Sequence, residues 1–395
     1  MGDQGQDPDT SSVRDYHASM AYNTVVFYNN SPADGNSSNF TTAPLHDDDL
    51  TSMRTLWEVI FLGTLLGCVI ITTILGNLLV MVTVITNRKL HSATNYFILC
   101  LAVADFLLGC LVLPFSAVNT LHWEWPFGAA FCNIFISTDV MLCTVSILTL
   151  FAISIDRYYA VTEPLNYQCR VTSSLVWKIC TAIWCFSFAL AFIPIHIGLN
   201  TNDGSVQNYE QPKLCNFELN KVYVLIDSLG TYFAPLIVMC IVYMKVLMIT
   251  KKQVQEINKL QKAALASGLH SEENKHHAKM ASDTKATITL ASLVLAFAIC
   301  WVPYFVMFTA KPFVSEPFNM HLDLFTLWLG YLNSLINPFL YAYYNTAFRK
   351  AFVRILCRSC QQHRRRQMRA CMGGQFKGGC TDSSELSALN GRPSM

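Results

Sequence analysis

The sequence predicts an all-α membrane protein, a bundle of seven transmembrane helices with a short amphipathic helix after the last of them. Three observations carry this. Of the 395 residues, 52% are hydrophobic and only 14% are charged. Apolar runs recur at 57–86, 94–121, 129–155, 173–198, 220–248, 287–311 and 322–344, each reaching the ~20 residues that cross a bilayer. Lys and Arg gather on alternate connections, so the near-neutral net charge of +2 hides a strong asymmetry.

Taken in order, residues 1–55 are acidic and rich in Ser, Asn and Asp, and read as a disordered tail. They contain the acceptor sequons Asn36-Ser37-Ser38 and Asn39-Phe40-Thr41. The run beginning near Trp57 is too long for the core of a cleaved signal peptide, so it is expected to act as a signal anchor. Arg88, Lys89, Arg157, Arg170 and Lys178, the Lys residues of the 250–283 loop and all the basic residues after Arg349 fall on one face. The other keeps only Arg14, Arg54, Lys213, Lys221 and Lys311. The positive-inside rule places the N-terminus outside and the C-terminus in the cytosol. Of the 15 cysteines, only Cys132 and Cys215 then fall outside the membrane in an oxidising compartment, and a disulfide between them is expected. The 250–283 loop has helical spacing at both ends and is expected to extend the fifth and sixth spans. The stretch 345–358 puts Phe348, Phe352 and Leu356 opposite Arg349, Lys350 and Arg354, as a helix lying on the inner leaflet does. Cys357 and Cys360 at its end are candidate palmitoylation sites, and 359–395 reads as a basic disordered tail.

Ionisable residues within the spans are the informative ones, because burying a charge there costs on the order of 2.5–3.5 kcal/mol even on the lenient insertion scale. Asp105 can meet Asn77, Ser146, Asn333, Ser334 and Asn337. An acid among amides and hydroxyls suits a small cation, such as sodium, or a hydrated proton. Asp139 lies seven residues inward from Cys132, roughly 10 Å along the helix, with no intramembrane Lys or Arg to neutralise it. Protonation, a wet cavity or a cationic ligand remain as options. Asp227 stands near the same depth in the fifth run, with Thr231 a turn further in. Trp301, Tyr304, Phe305 and Phe308 of the sixth run, and Trp328 and Tyr331 of the seventh, supply aromatic faces. Two acids facing aromatic rings suit a small cation carrying a second donor. At the inner end of the third run, Arg157 has Asp156 beside it, and Asp283 stands at the inner end of the sixth. An Arg held by both acids would clasp the two spans together.

These residues form a set that resembles the rhodopsin-like (class A) G-protein-coupled receptors. The matching motifs are Gly76-Asn77, LAVAD ending at Asp105, Asp156-Arg157-Tyr158, Trp184, Pro235, CWVPYF from Cys300 to Phe305, and NPFLY from Asn337 to Tyr341. The resemblance implies an aminergic receptor of the plasma membrane in which Asp139 binds a ligand ammonium. Within that branch the chain is most similar to the histamine-binding members, which implies that Asp227 and Thr231 contact the imidazole and that Val140 and Cys143 line the site. It also implies activation through Ile147, Pro235 and Phe297 beneath Trp301, with Tyr243 and Tyr341 turning toward Arg157. The implied partners are histamine or a similar amine, a heterotrimeric G protein of the stimulatory type, arrestin, a receptor kinase and membrane lipid. The implied cofactor is none beyond a structural sodium ion in the inactive state.

A receptor for another amine, serotonin or a trace amine, is the nearest alternative; Asp227 argues against it. An ion or proton transporter using the three acids as a relay is the alternative from another class. The chain lacks the internal repeat and paired broken helices of many transporters. An enzyme is not expected, since no metal-ligand cluster, nucleophile elbow or phosphate loop is present, and no nucleic-acid partner is expected.

Overall fold

The computed structural model describes residues 56–122, 124–267, 273–314 and 319–356, without the side chains of 168, 257, 258 and 260–287. Asn36, Asn39, Cys357, Cys360, the two tails and the side chain of Asp283 therefore lie outside the described residues. All regular structure among the described residues is helical.

Span one is Leu56–Thr86, span three Gly128–Thr162 and span four Ser173–His196. Span two runs as Ala93–Leu111 and Leu113–His122, with a break at Val112. Pro114 explains the break: it lacks an N–H, and its ring crowds the carbonyl one turn back. Span five is built from Lys221–Asp227, a π-helical turn at Ser228–Phe233, and Ala234–Ser267. Span six is Glu273–Ala310 and span seven Met320–Tyr344. A short helix, Pro164–Arg170, lies between spans three and four, and another, 346–356, follows span seven.

Among the described residues, six helices are long and apolar enough to cross a membrane by length and composition. Span seven is 25 residues long but carries His321, Asp323, Asn333, Ser334 and Asn337, and it docks on spans one and six. Span three sits centrally, touching spans two, four, five and six. The core is the shared interior of the bundle, including Leu101, Val145, Leu150, Met239, Leu293 and Tyr341. Large apolar side chains such as Phe61, Phe186, Ile241 and Leu295 face outward, as lipid-facing positions do. Phe348 and Phe352 of the last helix are buried, Phe348 stacking on Tyr341 at 5.4 Å. Leu356, expected on the same face, is exposed along with Val353, because the helix has by then passed the end of the bundle.

Candidate functional site: a cavity with two carboxylates

The π-helical turn fixes the geometry of span five. Pro235 cannot donate to the ladder, and the turn before it widens, with Ala234 N–H reaching Leu229 C=O, five residues back. One extra residue per turn rotates the outer end of the span relative to the inner end, and such turns recur at functional sites. Here it brings Asp227 and Thr231 onto the wall of a cavity. Thr231 donates its hydroxyl to the Asp227 carbonyl at 2.6 Å and lies 3.3 Å from its Oδ1.

Span three supplies the facing wall with Asp139, Val140 and Cys143. Tyr331 donates its hydroxyl to Asp139 Oδ2 at 2.7 Å, and the Cys143 thiol lies 3.5 Å from Oδ1. The charge that no Lys or Arg of the spans could offset thus has a phenol as its partner. Among the described residues neither Asp139 nor Asp227 is ion-paired; the ion pairs lie at Asp156–Arg157, Glu163–Arg170, Glu256–Lys259 and Asp323–Lys311.

Aromatic side chains close the remaining sides. Tyr304 and Phe308 stack at 5.8 Å, and Phe305 stacks on Tyr232 at 3.8 Å. Trp301 lies so close to Gly330 that a Cβ there would meet its ring at 2.7 Å, so only glycine seats the indole at that level. Ile147 and Phe297 line the cavity below Trp301. Trp328 is not among the lining residues; its indole N–H donates to Thr120 Oγ1 at 3.1 Å, tying span seven to span two. The cavity between these walls has a volume of about 40 Å³.

The roof comes from the segment between spans four and five. Cys132 and Cys215 form a disulfide, with Cα atoms 5.6 Å apart. Two residues on, Phe217 enters the cavity lining. A buried amide knot holds this segment: Gln207 Oε1 accepts from Asn200 Nδ2 at 2.8 Å and from the Glu218 N–H at 2.9 Å. Asn133 of span three accepts from Asn208 at 2.9 Å and donates to the Gln207 carbonyl at 3.1 Å.

Two further clusters lie below. Asp105, fully buried, accepts from Ser334 Oγ and from Asn337 Nδ2, each at 2.7 Å, and Asn77 donates to the Ser334 carbonyl at 3.0 Å. Ser146 is also within reach of Asp105. The carbonyl oxygens of the Asn77, Asn333 and Asn337 side chains are buried without a partner, leaving neutral acceptors close to an acid. At the inner end of span three, Arg157 folds onto Asp156 at 2.7 Å and onto the Thr94 hydroxyl. Thr94 donates to Asp156 Oδ2 and Tyr167 to Oδ1, each at 2.6 Å. Burial, and then the neighbouring Asp156 carboxylate, push the Tyr167 phenol up to about 12, so it stays a donor. Tyr243 and Tyr341 have buried hydroxyls without partners. Tyr158 ring-stacks only with Tyr159 among the described contacts, at 6.1 Å.

Sequence reasoning missed Tyr167, Thr94 and Phe217. The available signal for Phe217 was its place two residues after Cys215. Tyr167 gave none, since its role depends on how the short inner helix folds back.

Seven helices around a cavity with an acid on its central helix, an acid–arginine pair at the inner end and a disulfide-tethered roof define a transmembrane receptor. The profile of the 7 transmembrane receptor (rhodopsin family) matches residues 76–341, and the chain belongs to that family, whose members are receptors and not enzymes. It is 41% identical over 303 residues to the histamine H2 receptor of Cavia porcellus, covering 76% of this chain and 81% of the relative. To the histamine H2 receptor of Homo sapiens it is 40% identical over 299 residues, covering 75% and 80%. To the 5-hydroxytryptamine receptor 4 of Cavia porcellus it is 38% identical over 320 residues, covering 78% and 82%. These relatives and the apolar helices make it a multi-pass membrane protein.

Proposed function

We propose that the chain is a plasma-membrane receptor for histamine, with its N-terminus outside, that activates a stimulatory G protein and raises cyclic AMP. The observation that carries this reading is the pair of carboxylates, Asp139 and Asp227, on opposite walls of one aromatic-lined cavity. Histamine has an ammonium at one end and an imidazole N–H at the other. The ammonium pairs with Asp139 and gains from the surrounding ring faces; the ring donor meets Asp227, with Thr231 beside it. The relatives named as histamine H2 receptors support the same ligand.

Bridging the two acids draws span five toward span three. Ile147, Phe297 and Trp301 repack beneath the ligand, and Pro235 with the π-helical turn gives span five the freedom to shift. Arg157 leaves Asp156 and Asp283, while Tyr243 and Tyr341 move toward it. A ligand drives this change only by binding the rearranged state better. The G protein then docks on the inner face, and a receptor kinase and arrestin end the signal. A sodium ion at Asp105, Ser146 and Asn333 favours the resting state.

A second reading, a receptor for another amine, has support in the relative named 5-hydroxytryptamine receptor 4. A cyclic AMP readout in transfected cells against a panel of biogenic amines separates the two. A response to histamine at lower concentration than to serotonin or trace amines is expected. A serotonin response with no histamine response would overturn the assignment.

A further inference from the structure

A second hollow, with a volume of about 470 Å³, lies on the flank of spans three and four. One wall follows Leu148, Ala152, Ile155 and Tyr159 down span three, and the other Leu175, Ile179 and Ile183 down span four. The first set repeats at helical spacing, so it forms a continuous stripe. Ala152 makes the hollow possible, since a larger side chain at that point would fill it. From Leu148 to Tyr159 the groove extends about 16 Å at 1.5 Å per residue, close to half of a ~30 Å hydrocarbon core. Its length is that of one leaflet.

The two ends differ. The walls are apolar, while the short helix Pro164–Arg170 closes the basic end with Arg170, Glu163 and Tyr167. Asp156, also in the wall, has both oxygens engaged by Thr94, Arg157 and Tyr167. Glu163 is the remaining carboxylate facing the groove. It meets Arg170 through Nη1 at 3.1 Å, and both side chains are exposed; exposed pairs of this kind hold weakly. The other guanidinium N–H groups can take a phosphate.

We propose that this groove holds one acyl chain of an anionic phospholipid, with the headgroup phosphate on Arg170. The walls belong to membrane-spanning segments, so the occupant comes from the bilayer. A groove one leaflet long, mostly apolar along its walls and with Arg170, paired only through Nη1 to Glu163, at its mouth, matches a lipid chain below a charged head. Because Asp156 and Tyr167 form part of the wall, the bound lipid touches the network that holds Arg157. The inference does not depend on which amine the receptor binds.

The test is native mass spectrometry of the purified full-length receptor released from nanodiscs of equal phosphatidylserine and phosphatidylcholine. The wild type should retain one phosphatidylserine in preference. Arg170→Gln should lower that preference about fivefold, the effect expected of one basic residue at a headgroup, and Arg170→Lys should keep most of it. Ala152→Leu should reduce retention of both lipids while radioligand binding reports an intact fold; Ala152→Phe is the stronger version. Equal retention of the two lipids by wild type, or a preference that survives Arg170→Gln, overturns the proposal. So does retention of a sterol from a ternary mixture that is lost in Ala152→Leu.

Discussion

On the proposed reading, Tyr331 and an incoming ammonium would meet the same carboxylate. The phenol donates to Asp139 Oδ2 at 2.7 Å, and a hydrogen bond to a charged group is worth ~1.5–3 kcal/mol. Tyr331→Phe removes that partner and leaves a polar group short of one bond. The ligand-free receptor should lose thermal stability, while an amine should restore more of it than in wild type. The measurement is the melting temperature of purified receptor with and without agonist; an unchanged ligand-induced shift would mean that the phenol contributes nothing to holding Asp139. The two acids should also separate by ligand. In the proposed complex Asp139 would meet the ammonium common to all amines, so Asp139→Ala should weaken every amine severely. In the same complex Asp227 would face a donor on the ring, and a site built for a donor suffers when the donor is missing. Asp227→Ala should weaken histamine roughly ten- to hundredfold, with a smaller loss for an amine whose ring has no N–H or O–H. Thr231→Ala should be mild. Competition binding on the three variants gives the answer, and equal losses for both ligands on removing Asp227 would count against direct contact with the ring.

Long helices announce themselves in hydropathy; short ones and distorted turns do not. The seven apolar runs could be read because a spanning helix must satisfy its own backbone and face lipid with apolar side chains. The π-helical turn at Ser228–Phe233 could not, since SLGTYF has no composition that distinguishes it from a regular turn. Pro235 was visible, but the way its missing donor is accommodated depends on packing. The same holds for Pro164–Arg170, seven residues long, which owes its position to Tyr167 gripping Asp156. The acids, aromatics and cysteines of the candidate site stood out in the sequence because polar residues are costly in a membrane. Their hydrogen-bond partners did not: a phenol such as Tyr331 reads equally as ring or donor. The inner network also yields a test. Tyr167→Phe removes one anchor of Asp156, and Asp283→Asn would remove the proposed second partner of Arg157. Both should raise cyclic AMP in the absence of ligand at matched surface expression. Unchanged basal signalling in Asp283→Asn would mean that spans three and six are not clasped in this way.

The bundle is tied together across its depth by polar groups. Asp105 links span two to span seven, with Ser146 of span three close by, and the Asn77 side chain joins span one to the same point. Neutral acceptors without partners beside a buried acid give this junction the chemistry of a cation site. Agonist affinity is therefore expected to fall as sodium rises at fixed ionic strength, and Asp105→Asn to abolish that dependence. Binding isotherms in sodium and in an equimolar organic cation check it; a sodium effect that persists in full in Asp105→Asn would place the ion elsewhere.

Span seven has a further significance during biogenesis. Among the described residues six helices are long and apolar enough by composition to cross a membrane, whereas span seven carries two asparagines and a serine in its second half. Each unpaired polar group in hydrocarbon is penalised, so these side chains need partners within the protein. Ser334 and Asn337 find their partner at Asp105 of span two, and the Ser334 carbonyl accepts from Asn77 of span one, both on helices synthesised earlier. Insertion of the last segment is thereby made conditional on the correct assembly of the first two, so a nascent chain with a defective span one or two would expose span seven as a polar, unstable helix to the quality-control machinery of the membrane.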